Sequence, residues 1–276
     1  MRDSKFYHLH SVWALTKREI KKWFNNPVVL LVTIMQPIVW MALFGKAMNL
    51  GAMLSNLPPE LGQHAIRSTF GTSDYFSYFA IGMISFTIMF TSMFGGMSIV
   101  WDRRLGFLDK VLSTPVSRAA VVIAKGLNAA IRSLFQAFII LGVATVLGLS
   151  FSSTFSPLNL LPIAFAICLL SMGLSTIFVA MAVRTTRFET PMALVNLVNL
   201  PLMFASNVFV PFSMMPSWLQ AIARVNPISY FTDAIRQLTV LEMDVSTLVL
   251  DFVFLGAFAL VIFAVGAFLA TRYLSR

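Results

Sequence analysis

Residues 133–183 read SLFQAFIILGVATVLGLSFSSTFSPLNLLPIAFAICLLSMGLSTIFVAMAV, and not one of them is charged. A bilayer core takes roughly 20 apolar residues as helix, so this stretch is long enough for two crossings. Ser150 to Pro157, rich in serine and closed by proline, marks the turn between them. Outward from there, charge is also missing from Asn25 to Gly45, Tyr75 to Trp101, Thr190 to Ala223 and Phe252 to Thr271. The fold class that follows is all-α: a polytopic membrane protein, one domain over 1–276, with six transmembrane helices at 28–50, 76–100, 119–149, 158–183, 190–211 and 249–271.

Composition agrees. The chain is 58% hydrophobic and 11% charged, with a mean hydropathy of +0.83, whereas soluble domains carry about 25% charged residues. The net charge of +9 is explained by topology, and no basic stretch is laced with aromatics as a nucleic-acid surface would be. Segments 1–27, 101–125, 184–189 and 272–276 hold fifteen Lys and Arg, against four in the alternate segments 46–75, 150–157 and 212–247. The positive-inside rule then puts both termini and the links at 101–118 and 184–189 in the cytoplasm, in a plasma-membrane protein. The single cysteine, Cys168, excludes an intrachain disulfide.

Residues 1–27 predict an amphipathic helix at the inner surface. Leu9, Trp13, Ile20 and Phe24 share a face, and Lys17, Arg18, Lys21 and Lys22 occupy the rest, suited to anionic headgroups. In the second span Phe79, Met83, Phe86, Phe90, Met93 and Met97 alternate by four and three, which is one helix face. Helix packing and a deformable lining for a greasy substrate both remain open for it. Gly95-Gly96 reads as a joint or a close-packing site. The third span carries a polar stripe, Lys125, Asn128, Arg132 and Gln136; Arg132 either snorkels to the interface, lines a wet vestibule or meets another subunit. The fifth carries Met192, Asn196, Asn199, Met203 and Asn207 on one face, which should meet protein or a pathway rather than lipid.

Beyond Pro211, Met215, Trp218, Ile222 and Val225 recur at helical spacing between Pro216 and Asn226-Pro227, in a segment too short to span. Tyr230, Asp233 and Arg236 follow, the last two spaced to pair. The segment 212–247 is expected to form a re-entrant hairpin on the outer side, a lid with Trp218 and Ile222 on its apolar face.

No G-x-x-x-x-G-K-[ST] loop and no metal-ligand spacing occurs; the three histidines, His8, His10 and His64, lie outside the spans, as do the acidic side chains apart from Asp251 at the entry to the last. The chain is not read as an enzyme, and carries no cofactor of its own.

The cytoplasmic link Trp101-Asp102-Arg103-Arg104-Leu105-Gly106-Phe107-Leu108-Asp109-Lys110-Val111-Leu112-Ser113-Thr114-Pro115-Val116-Ser117-Arg118 resembles that of type-2 ATP-binding-cassette permease subunits. There an acidic–arginine pair and a glycine precede a short helix ending in Thr-Pro-Val-Ser-Arg. Met215-Pro216-Ser217-Trp218-Leu219-Gln220, Asn226-Pro227-Ile228-Ser229-Tyr230 and the lead from Arg18-Glu19 through Asn26-Pro27 to Gln36-Pro37 are similar too, in the same order. The resemblance implies the membrane half of an efflux complex, closest in flavour to daunorubicin-type multidrug-resistance permeases. It implies pairing as a homodimer or with a close paralogue, and two cytoplasmic ATPase subunits that hold the ATP and Mg.

A coupling helix over 103–112 would dock in an ATPase groove. Asp102, Arg103, Arg104, Leu105, Gly106, Leu108, Val111 and Leu112 are its coupling residues, with Leu105, Leu108, Val111 and Leu112 as the apolar face. The family commonly has threonine and glutamate where this chain has Phe107 and Asp102. Phe79, Met83, Phe86, Phe90, Asn196, Asn199 and Met203 are the expected path residues, with the asparagine face turned to the dimer midline. Trp218, Ile222, Tyr230, Asp233 and Arg236 form the expected lid. Export of polysaccharide or a lipid-linked glycan is the alternative within the family; an ATPase-independent carrier or lipid scramblase is the alternative outside it.

Overall fold

The computed structural model describes residues 3–45, 59–182 and 189–273. The far ends of the expected first and fourth spans (46–50 and 183) and the basic link with Arg184 and Arg187 lie outside the described residues. Eleven α-helices and no strand occur among those described. They are α1 (Asp3–Phe24), α2 (Pro27–Trp40, continued by a π-helical turn Met41–Gly45), α3 (Pro59–Phe70), α4 (Tyr75–Arg104), α5 (Phe107–Leu112), α6 (Arg118–Val146), α7 (Leu160–Ala182), α8 (Glu189–Phe204), α9 (Ser217–Ala223), α10 (Pro227–Thr239) and α11 (Val245–Tyr273). Five helical segments are long and apolar enough to cross a membrane: Pro27–Gly45, Leu61–Arg104, Arg118–Val146, Pro157–Ala182 and Val245–Leu269.

The ends of the long helices follow local chemistry. Asp74 accepts from the Ser77 N–H at 2.7 Å and starts α4, while Arg103 and Arg104 close it, cations at the negative end of the dipole. Asn26 accepts from the Val29 N–H and Pro27 opens α2, where its missing N–H costs nothing. Ser117 caps α6. Asp244 accepts from the Thr247 hydroxyl at 2.6 Å and the Ser246 N–H at 3.1 Å, and these bonds hold its carboxyl below its ordinary value.

α4 is the hub, packed on α6 and α7, with α11 on the far side of α7 and α1 along α6. Close approach depends on small residues. A Cβ on Gly96 would lie 2.6 Å from the Ser175 carbonyl oxygen of α7, and one on Gly95 3.2 Å from Ala129 of α6. Gly95-Gly96 is thus a packing site, and α4 runs through it as unbroken helix. The stripe on α6 turns inward: Lys125, Asn128 and Gln136 are all buried, and Gln136 accepts from the Thr91 hydroxyl of α4.

The chain differs from expectation at the fifth span. α8 ends at Phe204 and is only 16 residues long, about 24 Å at 1.5 Å per residue. Residues 205–210 continue as irregular, mostly buried backbone. Pro201 inside α8 removes one helical donor, and the unwound carbonyls find side-chain donors elsewhere. Exposed apolar side chains gather on two sides. One is the outer face of α11, with Val249, Leu250, Val253, Leu260, Val261, Val265 and Phe268; the other is made by α2 and α8, with Leu31, Val32, Val39, Leu194, Leu197 and Leu200.

Candidate functional site

Between α2, α4 and the end of α8 lies an apolar cavity of about 350 Å³. Phe79, Met83 and Phe86 line it from α4, Met203 and Phe204 from α8, Phe209 from the unwound segment, and Trp40 and Phe44 from α2 and its π turn. The size lies at the lower end of ligand pockets, roughly 300–1,000 Å³. Four of the seven path residues read from the sequence therefore meet here: Phe79, Met83, Phe86 and Met203. Phe90 is one turn below, its ring 4.6 Å from that of Phe86, beside a second, smaller crevice.

The asparagine face is divided. Asn196 is exposed, but Asn199 is 2% exposed and donates from Nδ2 to the Met93 sulfur of α4 at 2.9 Å. The reason is steric: α8 lies against α4, so one turn of the face is covered by the chain's own hub. Sequence reasoning missed Trp40, Phe44, Phe204 and Phe209, because the π turn after α2 and the unwinding after Phe204 carry no helical periodicity.

The unwound segment is held by two side chains. Asn226 donates from Nδ2 to the carbonyls of Leu202 and Ala205, both at 2.6 Å, and its Oδ1 accepts from the Ile228 N–H at 3.0 Å. One amide thus caps the end of α8 and the start of α10. Arg236, fully buried in α10, donates to the carbonyls of Asn207 at 2.7 Å, Val208 at 2.8 Å and Tyr78 at 3.1 Å, with its guanidinium carbon 3.4 Å from the centroid of the Tyr78 ring. The Tyr78 hydroxyl donates to the Asn207 carbonyl as well.

The expected Asp233–Arg236 pair gives way to this arrangement. Asp233 accepts instead from the Gln237 amide, which also donates to Asp251, because main-chain carbonyls orphaned by the break compete for the guanidinium. The hairpin likewise splits into two parts. In α10, Ile228, Phe231, Ile235 and Leu238 enter the core, so the return helix is fixed. Only α9 offers an exposed apolar face, with Trp218 65% and Ile222 47% exposed. Tyr230 ties the two, its hydroxyl donating to the Arg224 carbonyl at 2.5 Å and its ring stacked on Phe254 at 3.8 Å.

At the opposite end of α4, Gly106 takes a left-handed φ of 67°, which glycine adopts without steric cost, and swings the chain into α5. Beneath α5 is a buried ionic cluster. Lys125 pairs with Asp102 and, at 3.2 Å, with Glu19, and donates to the Ser98 hydroxyl at 2.7 Å. Arg18 pairs with Glu19 at 2.7 Å and Asp102 at 3.2 Å. The Arg18 guanidinium also covers the Phe107 ring at 3.4 Å, which gives Phe107 an intrachain partner.

Two of the expected coupling residues turn into the permease itself. Asp102 and Leu108 are each 3% exposed and face inward, Asp102 onto Lys125 and Leu108 into a crevice with Leu15 and Val121. Six residues are too few for α5 to present a full apolar face outward once it rests on α1 and α6. Leu105, at 69% exposed, and Arg104 are on the outside. Arg103, Val111 and Leu112 are half-buried.

The sequence fits the family model of the ABC-2 type transporter over residues 10–240. The chain belongs to the ABC-2 type transporter family. It is 28% identical over 84% of its length to the putative transport permease ycf38 of Cyanophora paradoxa, covering 75% of that protein. It is 26% identical over 80% to the probable doxorubicin resistance ABC transporter permease protein DrrC of Mycobacterium tuberculosis, covering 74%, and 23% identical over 80% to the daunorubicin resistance ABC transporter permease protein DrrB1 of Streptomyces coeruleorubidus, covering 72%. An ABC-2 permease is a transport subunit and not a catalyst, and this chain is a multi-pass membrane permease of an ABC exporter.

Proposed function

We propose that this ABC-2 permease moves hydrophobic or amphipathic compounds outward across the cell membrane, driven by ATP hydrolysis on two separate cytoplasmic ATPase chains. The observation that carries the reading is the apolar cavity between α2, α4 and the broken end of α8. Its wall is aromatic rings and methionines, which repack around varied shapes. α8 serves as the sixth membrane segment, prolonged by its unwound end, a form tolerated in lipid only where protein covers the backbone. Both termini and α5 face the cytoplasm, as the basic residues favour.

Six segments enclose too little space for a large cargo, so two copies, or this chain and a paralogue, pair through the exposed apolar side of α2 and α8. Leu105 and Arg104 meet the ATPase, while the ionic cluster keeps α5 rigid enough to transmit movement to α4 and α6. α9, beyond the cavity on the outer side, covers the exit. Co-reconstitution with the cognate ATPase in inverted vesicles tests the reading. ATP should drive accumulation of a hydrophobic dye inside the vesicles, and a Phe79→Ala, Phe86→Ala double variant should lower that accumulation without loss of ATPase binding. Equal accumulation without ATP or without the ATPase would replace the reading with that of a passive carrier.

A further inference from the structure

Directly below the apolar cavity, on the same seam between α2 and α4, is a small crevice lined by Thr33, Gln36 and Pro37 of α2, by Phe86, Thr87, Phe90, Thr91 and Phe94 of α4, and by Arg132 of α6. Phe86 lines both spaces. Arg132 stands midway along a helix long and apolar enough to cross a membrane, where an unpaired cation is costly. Its Nε is buried without a hydrogen-bond partner, and the Trp23 ring covers one side of the guanidinium at 5.0 Å. The nearby carboxylate of Glu19 is already held by Arg18 and Lys125. The threonine hydroxyl protons around the crevice are already given: Thr33 donates to Leu30, Thr87 to Met83 and Thr91 to Gln136. The Gln136 Nε2 behind Thr91 is a further buried donor without an acceptor. The threonine oxygens keep acceptor lone pairs and the Gln36 amide both donates and accepts, so the one charged group at the crevice, Arg132, is what selects a ligand, and an oxyanion is its complement.

We propose that the cargo of this permease is an anionic amphiphile, with its oxyanion head at Arg132 and its apolar body in the Phe79–Phe209 cavity, the two compartments joined at Phe86. The claim rests on the transport-path reading above and adds the chemical class of the substrate. The wall of α4 from Phe79 to Phe94 rises about 22 Å, enough for a head and one extended chain or a small fused-ring body. A charge-assisted head contact to a guanidinium whose Nε is buried favours the anion over its neutral counterpart by at least tenfold.

The test is equilibrium binding to the full chain in phosphatidylcholine nanodiscs, read by tryptophan fluorescence, since Trp40 borders the cavity and Trp23 flanks Arg132. The probes are dodecyl phosphate, dodecanol, inorganic phosphate and dioleoylphosphatidylglycerol. Native protein should bind dodecyl phosphate at least tenfold more tightly than dodecanol and inorganic phosphate; Arg132→Gln should bring the first ratio near one, and Arg132→Lys should keep part of it. Equal affinity of the native protein for dodecyl phosphate and dodecanol overturns the proposal, as does an unchanged ratio in a folded Arg132→Gln protein. Inorganic phosphate binding as tightly as dodecyl phosphate removes the apolar body from it. Displacement of dodecyl phosphate by dioleoylphosphatidylglycerol at equal concentration assigns the groove to bilayer lipid and overturns the cargo. Should Arg132→Gln fail to fold, the native ratios and Arg132→Lys decide. If the ratios hold while ATP-driven transport fails in vesicles, the exporter reading falls and the anionic-amphiphile site stands.

Discussion

Replacing Arg236 by methionine isolates what holds the broken end of α8. The native guanidinium makes three hydrogen bonds to main-chain carbonyls, of Asn207, Val208 and Tyr78. Hydrogen bonds to charged groups contribute about 1.5–3 kcal/mol each, a gross gain of roughly 5–9 kcal/mol. Against it stands the effective cost of burying the cation, several kcal/mol, which methionine abolishes. The carbonyls are not left equal. Asn207 keeps the Tyr78 hydroxyl at 2.9 Å, but Val208, in irregular backbone, has no second side-chain donor among the described residues. An orphaned buried carbonyl costs about 1–3 kcal/mol, and the lost ring contact with Tyr78 adds on the order of 1 kcal/mol. The expected net loss is about 2–4 kcal/mol, which at roughly 2–4 °C per kcal/mol for a chain of this size lowers the melting temperature in detergent by about 4–16 °C. Tyr78→Phe, which spares the Arg236 bond to Asn207, should cost only about 1 kcal/mol. The two variants share one carbonyl, so the double variant should depart from additivity. An Arg236→Met protein that melts with the native one would refute the assignment of Arg236 as the clamp of the unwound segment.

Leu105→Asp, at an exposed position, should leave the melting temperature within about 2 °C yet abolish ATPase co-purification; Leu108→Asp should instead destabilise the permease itself by about 3 kcal/mol or more, and stable Leu108→Asp protein would contradict its inward placement. Asp102→Asn leaves the buried Lys125 with one carboxylate fewer; a loss of about 3 kcal/mol, together with faster tryptic cleavage in α1, is the expected pattern, and unaltered cleavage would separate the cluster from the anchoring of α1. Gly82→Ala places a Cβ 2.3 Å from the Val208 carbonyl oxygen, so it should cost about 1–3 kcal/mol and lower transport, with Ser85→Ala on the next turn as the milder control. Trp218→Ala with Ile222→Ala should slow export while the melting temperature holds, since both side chains are largely exposed; export at the native rate would leave α9 without a role as lid.

The parts of this fold legible in the sequence are those governed by a single chemistry. Uncharged length marks the long helices, and Asn26-Pro27 and Asn226-Pro227 mark helix boundaries that the structure contains. What the sequence conceals is competition between partners. Asp102 and Leu108 have the composition of a docking surface, yet they face inward because Lys125, Arg18, Leu15 and Val121 arrive from segments distant in sequence. Arg236 has a local partner in Asp233, one helical turn away, and takes instead the carbonyls of Asn207 and Val208, freed because α8 breaks after Phe204, and that of Tyr78 in α4. Asn199 shares a helix face with Asn196, but α4 covers one and leaves the other. In each case spacing along one helix identifies the face, and the neighbouring helix decides what that face meets. The cavity follows the same logic: Phe79, Met83 and Phe86 are periodic and visible, whereas Phe44 and Phe209 enter from a π turn and from unwound backbone. Irregular backbone held by buried side chains is where a transport path can change width without unfolding a helix, since Asn226 and Arg236 can hold the carbonyls while the rings of Phe204 and Phe209 move. On the proposed transport reading, the strength of that hold, and not the length of any span, limits how far the path opens.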